Sequence, residues 1–434
     1  MCRRFALQAR PVAVTAMPYG PMASLPAARQ GTYPVRSDLN IVSPGGLATL
    51  ALETGRCFRG RWFGGSPPGG LGTADPFPST VGGEVVFHTG MTGYQEILTD
   101  PSYAGQIVVF TAAHIGNYGI HAGEDESTRV HPRAIVVRDH FRRTTHQRAD
   151  RSLEDLLRRA NIPGLSDVDT RALTIALREK GACRGVIGTD ERDELVAAAQ
   201  QFPPMSSTNF IAQVTCKAPW SMTAAPVGGN GKRAAFRVAV LDCGVKQSIL
   251  ERLREENCEL HIYPAQTPAE EIMGKGGRPV PEGIFLSNGP GDPALLDAQV
   301  ATISELLQTG VPVFGICLGH QLLSRAIGAE TFKLPFGHHG ANHPVRREHD
   351  CRVEITSHNH NYAVRPESLD ASKVRVTHSS LNDDCIEGLE LIDRPVYSVQ
   401  YHPEAAPGPR DGRYLFERFV GDMAHRRKEM EGVA

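Results

Sequence analysis

Apolar and polar positions alternate along the second half of the chain in a pattern that changes period. Stretches with helical spacing, Gln247–Arg254 and Ala294–Leu307, separate short apolar runs of strand length. Those runs are Phe236–Leu241, Leu260–Tyr263, Gly283–Leu286 and Val311–Ile316. Strands that alternate with helices predict βαβ units, and therefore an α/β fold with a parallel-rich sheet flanked by helices. The functional site of such a sheet lies at the carboxyl ends of its strands.

The first half mixes strand and helix patterns with much irregular loop. Its predicted strands are a hairpin over Ala48–Arg61, then Glu84–His88, Ile107–Thr111 and Ala134–Val137. Its predicted helices lie around Gln95–Leu98 and over Leu153–Arg159 and Thr170–Lys180. The Gly/Pro-rich segment Pro67–Pro78 is predicted to be a loop. We therefore expect a separate, mixed α/β domain in this half.

A stretch rich in Pro, Ser, Thr and Gly, residues 203–232, divides the two halves and is predicted to be a linker. The predicted organisation is an extension over 1–46, an N-terminal domain over 47–200, a linker over 201–234 and a C-terminal domain over 235–428. A length of 434 residues also suggests two or three domains.

Charge and cysteine usage narrow the class of protein. The net charge is -2, so no nucleic acid is expected as a partner. No apolar run approaches the roughly 18 residues of a transmembrane helix, so no membrane is expected either. The nine cysteines are scattered and include no C-x-x-C pair, which indicates free thiols in a reduced compartment.

The first 46 residues have a composition of their own. They contain five arginines, no lysine and a single acidic residue, Asp38, with frequent Ala, Pro and Ser and no apolar core of a secretory signal. This is typical of an organellar transit peptide. The alternatives are an ordinary disordered extension and a wrongly assigned start.

The most informative segment surrounds a lone cysteine. The apolar run Val311–Ile316 leads into Cys317, and a helical pattern follows from Gln321 to Ala326. A strand, a sharp turn and a helix start would lift the Cys317 thiol out of the sheet. The dipole and free N–H groups of a helix N-terminus favour the thiolate, so Cys317 is a candidate nucleophile. The alternative is an inert, buried packing cysteine.

A candidate base follows in the segment Tyr401–Glu404. Positions two apart in an extended segment point the same way, so Glu404 could orient the imidazole of His402 and stabilise its charged form. Without Cys317, a surface His-Pro turn would be the better interpretation.

Two further segments have weaker signals. The glycine-rich stretch Asn288–Asp292 lacks the lysine and spacing of a phosphate-binding loop, but its backbone N–H groups would suit an oxyanion hole. The histidines of Gly337–His343 and His358–His360 have no acidic or cysteine partner at a fixed spacing. They are therefore interpreted as polar loop or substrate-pocket residues, and no metal site is predicted.

These motifs together resemble a known family. The combination of Gly315–Gln321 with His402–Glu404 is similar to the class I (triad) glutamine amidotransferases. The remaining motifs resemble the small subunit of carbamoyl phosphate synthetases, and they run from about Ala48 to the C-terminus. They are Gly83–Tyr103, His114–Gly119, Asp167–Leu173, Leu177–Gly181, Ser287–Pro293, Phe336–Gly340 and His402–Pro409. The segments Asn359–Val364 and Gln400–His402 look most like the plant and cyanobacterial branch, which with the arginine-rich extension favours a plastid stroma over the cytoplasm.

The resemblance implies a division of labour. The chain would hydrolyse glutamine, and a separate large subunit would use the ammonia with bicarbonate and ATP, with Mg, to make carbamoyl phosphate for arginine and pyrimidine synthesis. No cofactor is implied on this chain. Cys317 would be the nucleophile, His402 the base and acid, and Glu404 its orienter. The implied glutamine-binding residues are Gly90, Gly289, Gly291, Leu318 (through its backbone N–H), Gln321, Asn359, Asn361 and Tyr362.

Some positions depart from the family pattern, and two other functions stay open. Gly90 stands where some members have a serine that touches glutamine, and Asn361 stands where many have glycine. One alternative is an amidotransferase subunit of a different synthase, which the Gly83–Tyr103 segment argues against. The other is a catalytically silent scaffold homologue, which the intact Cys317, His402 and Glu404 argue against.

Overall fold

The computed structural model describes residues 45–65, 80–225 and 235–432, all of which belong to one compact unit, Pro44–Ala434. Most of the N-terminal extension and the predicted loop Pro67–Pro78 lie outside the described residues. Within the described ranges, no helix is both long enough and apolar enough to cross a membrane.

The N-terminal lobe is a closed barrel with helices packed around it. Its elements are β1 (Leu47–Leu52), β2 (Cys57–Gly64), β3 (Val81–His88), α1 (Tyr94–Thr99), β4 (Gln106–Phe110), β5 (His114–Ile115), β6 (Ala134–Val136), β7 (Asp139–His140), α2 (Leu153–Ala160), β8 (Pro163–Ser166), α3 (Thr170–Lys180), β9 (Cys183–Gly188) and α4 (Arg192–Gln201). The barrel order is β1-β2-β8-β6-β4-β3-β9. This confirms a mixed α/β lobe, and α3 ends at Gly181 as its pattern predicts.

Strand alternation builds two apolar layers in this lobe. One cluster draws on all seven barrel strands and is closed by Leu173 and Leu177 of α3. The other lies on the opposite strand faces, against α1 and α2. Strands β8 and β9 were not predicted, because their glycine, proline and arginine residues weaken the apolar pattern.

The C-terminal lobe contains a ten-stranded sheet. Its elements, with those of the preceding connection, are α5 (Ile211–Val214), β10 (Trp220–Met222), β11 (Phe236–Asp242), α6 (Gln247–Glu255), β12 (Cys258–Pro264), α7 (Ala269–Ile272), β13 (Gly283–Leu286), α8 (Asp297–Leu307), β14 (Val313–Ile316), α9 (Leu318–Ala326), β15 (Thr331–Arg347), β16 (Val353–Val364), β17 (Val374–Ser380), β18 (Ile386–Leu391), β19 (Val396–Val399) and α10 (Tyr414–Gly432). The strand order is β10-β12-β11-β13-β14-β19-β18-β17-β15-β16.

The two halves of this sheet differ in strand direction. Strands β12, β11, β13, β14 and β19 pair in parallel, which confirms the parallel-rich sheet. Strands β18, β17, β15 and β16 extend it in antiparallel fashion. The histidine segments, predicted as polar loop or substrate-pocket residues, lie on β15 and β16, so the loop alternative is wrong. Their dense polar residues concealed two long, paired strands.

The stretch predicted as a linker has structure of its own. Strand β10 pairs with β12 at the edge of the sheet, and Ile211 of α5 is completely buried in its core. The stretch therefore packs against the C-terminal lobe. Burial of a few apolar side chains, such as Ile211, holds this otherwise polar segment against the lobe.

Candidate active site

Cys317 occupies a strained turn between β14 and α9. Its backbone has φ 53° and ψ -104°, in a region that non-glycine residues rarely adopt. A Cβ on Gly319 would lie 2.2 Å from the carbonyl oxygen of Leu286, and one on Gly315 would lie 2.9 Å from that of Gly319. Both glycines are therefore needed for the strand and helix to approach closely. The predicted strand, sharp turn and helix start are confirmed.

The strand beside β14 supplies the imidazole. His402 follows β19, and its Nδ1 lies 2.7 Å from Oε1 of Glu404, with both side chains buried. Among the described residues, His402 Nε2 has no hydrogen-bond partner. Burial by itself lowers the pKa of His402, but the Glu404 carboxylate and the nearby Cys317 thiol raise it to about 10. The imidazole is therefore oriented at one nitrogen and free to exchange a proton at the other.

Glu404 has a second partner that the sequence analysis missed. Lys246 Nζ lies 2.7 Å from Glu404 Oε1 and 2.6 Å from the carbonyl oxygen of Ala406. Burial opposes the charge on each group, but their attraction raises the pKa of Lys246 and, with His402, lowers that of Glu404 to about 2. The sequence could have indicated Lys246 only through its position, because it follows β11 at the same carboxyl edge of the sheet as Cys317 and His402.

A cavity opens beside Cys317. It is lined by Ser102, Gln106, Met205, Gly289, Gly291, Cys317, Gln321, Asn359, His360, Asn361 and Tyr362. The predicted pocket residues thus line one cavity, with two exceptions. The Leu318 side chain is part of the core, although its backbone N–H lies in the first turn of α9, where such groups lack a helical partner.

Gly90 is the second exception, because it does not line this cavity, and its contact with glutamine stays a prediction. Its N–H donates to Nδ1 of His88 at 3.0 Å, and it is not among the residues that line the cavity. The N-terminal lobe contributes Ser102 and Gln106 instead. Ser102 is held there because its N–H donates to Asp100 Oδ1 at 2.8 Å in a short turn after α1.

The cavity lies where the two lobes meet. Asn359 Nδ2 donates to Asp100 Oδ2 at 3.0 Å, and Asn361 Nδ2 donates to Glu84 Oε2 at 2.8 Å. His339 contacts the side-chain oxygens of both asparagines, at 3.0 and 2.9 Å. The side chains of Asn359 and Asn361 are therefore occupied in joining the lobes, and so shape the pocket wall rather than reach freely into it.

Two more residues of the N-terminal lobe, Ser102 and Glu126, contact the C-terminal lobe near this site. Asn288 Nδ2 donates to the Ser102 hydroxyl at 2.9 Å, next to the glycine-rich loop. The Glu126 carboxylate accepts from the N–H and hydroxyl of Ser248, at 3.0 and 2.7 Å, in the first turn of α6. A carboxylate at a helix N-terminus is favourable.

The arrangement suits covalent chemistry on a small amide or ester. Cys317 Sγ lies on the cavity wall, 3.6 Å from the carbonyl oxygen of Asn359. An oriented imidazole is close by, and backbone N–H groups at the start of α9 face developing negative charge. This combination of nucleophile, base and oxyanion donors is what acyl transfer requires.

Comparison with known proteins agrees with this chemistry. Residues 239–421 match the family model of the class-I glutamine amidotransferases, and residues 50–187 match that of the carbamoyl-phosphate synthase small chain, CPSase domain. Three relatives carry the name carbamoyl phosphate synthase small chain. They are from Synechococcus sp. (47% identical, covering 87% of this chain and 94% of the relative), Nostoc sp. (44%, covering 87% and 95%) and Syntrophotalea carbinolica (43%, covering 89% and 100%). With both domains matched and nearly the full length of these relatives covered, the chain belongs to the carbamoyl phosphate synthase small chain family.

Proposed function

We propose that this chain is the glutamine-hydrolysing subunit of a carbamoyl phosphate synthase and that it passes ammonia to a separate large subunit. The observation that carries the proposal is the buried grouping of Cys317, His402 and Glu404, with Cys317 on the wall of one cavity. The large subunit would use the ammonia with bicarbonate, ATP and Mg, for arginine and pyrimidine synthesis. The two family matches and the named relatives support this reading.

The reaction follows from the roles of these groups. The Cys317 sulfur attacks the carboxamide carbon of glutamine as the thiolate, and His402 Nε2, which holds the thiol proton, delivers that proton to the leaving ammonia. A water then attacks the resulting thioester with His402 as base, and glutamate leaves as Cys317 is restored. The N–H of Leu318 and the Gly289 loop would stabilise the tetrahedral oxyanions, at about 3 kcal/mol per donor.

The lining of the cavity agrees with an amino-acid substrate, because glycine backbone and amide side chains surround Cys317. A Cβ on Gly289 would lie 2.2 Å from the carbonyl oxygen of Cys243, so the loop has room only for glycine there. The glycine therefore lets the loop pack against the Cys243 backbone, and this packing holds the loop on the cavity wall beside Cys317.

The other functions considered fare less well. The match of residues 50–187 to the small-chain family argues against a subunit of a different synthase. The presence of Cys317, His402 and Glu404 in one buried grouping argues against a catalytically silent scaffold.

Replacing the nucleophile tests the proposal. In a complex with the cognate large subunit, Cys317→Ser should lower glutamine-dependent carbamoyl phosphate synthesis by at least about 10³-fold, because a serine hydroxyl is far less acidic than a thiol. Synthesis from free ammonia should stay within about twofold, since that chemistry belongs to the partner. Cys351→Ser, at an exposed cysteine, is the matched control and should change neither rate. Near-normal glutamine hydrolysis by the Cys317 variant would refute the assignment.

We also propose that the chain works in a plastid stroma, on the composition of residues 1–46. A fluorescent reporter that carries these residues should enter plastids. A cytoplasmic reporter would overturn the location and leave the enzymatic proposal intact.

A further inference from the structure

Next to the cavity lies a second group of chemically active side chains, which we call the histidine cluster: His338, His358, Glu387 and His360, the last of which also lines the cavity. They come from β15, β16 and β18, and all four are buried. Each offers one potential ligand atom, and these four atoms all lie within 4.8 Å of one another. None of the four has a role in the proposed glutaminase reaction.

Hydrogen bonds on the outer side of two rings set their tautomers. The Thr356 hydroxyl donates to the carbonyl oxygen of His343 at 3.0 Å, so it accepts from His358 Nε2, 2.7 Å away. The ring of His360 donates from Nδ1 to the carbonyl oxygen of Tyr362 at 2.9 Å. In their neutral forms, both rings therefore present a lone pair on the inner nitrogen. These inner atoms, His358 Nδ1 and His360 Nε2, are 3.2 Å apart.

The other half of the cluster repeats this pattern. His338 Nε2 lies 2.8 Å from Asp383 Oδ2 and donates to it, which leaves Nδ1 facing inwards. Within the described part of the chain, His338 Nδ1 and both carboxylate oxygens of Glu387 have no hydrogen-bond partner. Glu387 is completely buried, with Oε1 3.4 Å from His338 Nδ1 and Oε2 3.6 Å from His358 Nδ1. Lone pairs and a carboxylate thus face one another at the centre of the cluster.

We propose that the histidine cluster binds a divalent cation of the zinc class through three imidazole nitrogens and the Glu387 carboxylate. With zinc bonds of 2.0–2.1 Å, the ligand atoms of a tetrahedral site are about 3.3 Å apart. The three separations above, 3.2, 3.4 and 3.6 Å, are close to that value. Outer partners that fix the ligating tautomer, here Thr356, the Tyr362 carbonyl and Asp383, are also typical of metal-binding histidines.

The ligand set indicates a structural role. Four protein ligands complete a tetrahedral zinc shell and leave no open position for a substrate. The cation would tie β15, β16 and β18 together behind Asn359 and Asn361, which alternate with His358 and His360 along β16. The sequence analysis set a metal aside because Glu387 lies far along the chain from the histidines, with no spacing to reveal it.

The competing explanation is a proton, with His338 doubly protonated between Asp383 and Glu387. A measurement of metal binding distinguishes a bound cation from a bound proton.

The probe is zinc, which is added to the full chain after purification without a polyhistidine tag and removal of metals with a chelator. Cys317→Ser serves as the parent, so that zinc on the catalytic thiol is excluded. We expect about one zinc per chain, with Glu387→Gln and His358→Gln each weakening its affinity at least tenfold. His349→Gln, at an exposed histidine, is the control and should bind as the parent does.

A second set of measurements uses only the parent protein, so it tests the proposal even if the variants do not fold. Cobalt bound to the parent should give the visible bands of a tetrahedral site without a thiolate charge-transfer band, because none of the four ligands is a cysteine. Zinc should also raise the thermal midpoint of the parent by about 4 °C or more. The proposal is overturned if zinc does not bind stoichiometrically, if cobalt shows thiolate or octahedral coordination, or if a folded Glu387→Gln variant binds zinc as tightly as the parent.

Discussion

Glu404 illustrates at the residue scale how a buried carboxylate is kept charged. His402 and Lys246 both contact Oε1, at 2.7 Å each. The lowered pKa of Glu404 means that it stays ionised throughout the working range of pH. The lysine thus supports the charge that orients the His402 imidazole, and it does so without contacting Cys317 or the cavity.

Lys246→Met should be severely destabilising, because it leaves the Glu404 carboxylate buried with only His402 as a partner. We expect a loss of about 3–5 kcal/mol in the free energy of unfolding. The double variant Lys246→Met/Glu404→Gln should recover most of that loss, since the buried charge is gone, but not glutaminase activity. Denaturant unfolding and glutamate release measure the two effects. Lys275→Met, in an exposed pair with Glu270, is the control. Simple additivity of the two single variants would contradict this explanation.

Glu96 should make stability depend on pH. Burial, reinforced by Glu124 and Glu126, raises the pKa of Glu96 from 4.5 to about 7 in the folded protein. The folded state thus holds its proton longer than the unfolded state, so this group's contribution is complete below pH 4.5 and is lost as the pH rises towards 7. Glu96→Gln should match the parent at low pH and exceed it by on the order of 2 kcal/mol above pH 7.

Unfolding curves of parent and variant between pH 4 and 8 measure the difference. Glu179→Gln, at an exposed position, should show a difference that does not vary with pH. A gap between Glu96→Gln and the parent that narrowed as the pH rose would have the wrong sign for a raised pKa.

At the scale of elements, β16 links three parts of the molecule. Alternate residues face opposite ways along the strand, so Asn359 and Asn361 join the N-terminal lobe while His358 and His360 belong to the histidine cluster. The Asn359 carbonyl also contacts the Cys317 sulfur. A shift of this strand would therefore change the pocket wall and the lobe seam together.

Asn361→Ala should weaken the seam, because it removes the hydrogen bonds to Glu84 and His339. We expect a loss of about 1–3 kcal/mol in stability and a higher KM for glutamine, with a smaller effect on kcat. Glu84 keeps its ion pair with Lys333 of β15, which also crosses the seam, so the two lobes should stay joined. Asn382→Ala, at an exposed asparagine, is the control. An unchanged KM would mean that the seam does not shape the pocket.

At the scale of the whole molecule, the cavity beside Cys317 lies between two lobes, and under the proposed function this position suits control by a partner. Any protein that contacts both lobes would shift their relative position and the alignment of Cys317 with a bound substrate. The lobes are joined at the cavity by a few hydrogen bonds between polar side chains, so a small rearrangement there is feasible.

Addition of the cognate large subunit with ATP and bicarbonate should therefore raise glutamine turnover by at least about tenfold, equivalent to roughly 1.4 kcal/mol of barrier. Glutamate release with and without the partner measures this, and an unrelated protein of similar size is the control. If a complex forms and turnover does not change, the chain is not gated by its partner.

The sequence by itself determined the features that depend on neighbours along the chain. The turn at Cys317, the α3 helix with its glycine end and the alternating strands and helices of the second half all follow from local spacing, because side-chain period and turn chemistry act over a few residues. The Cys317, His402 and Glu404 grouping was also predictable, since each lies in a short motif that directly follows a strand at the same edge of one sheet.

Tertiary structure decided what depends on residues distant in sequence. Barrel closure, the Lys246–Glu404 pair and the convergence of Glu387 on three histidines have no spacing that a linear pattern could reveal. The same is true of Ser102, which lines the cavity where Gly90 was expected, because the docking of the two lobes selects the residue. Burial and charge pairing act through space, so their outcome is set only once the strands have taken their order in the sheet.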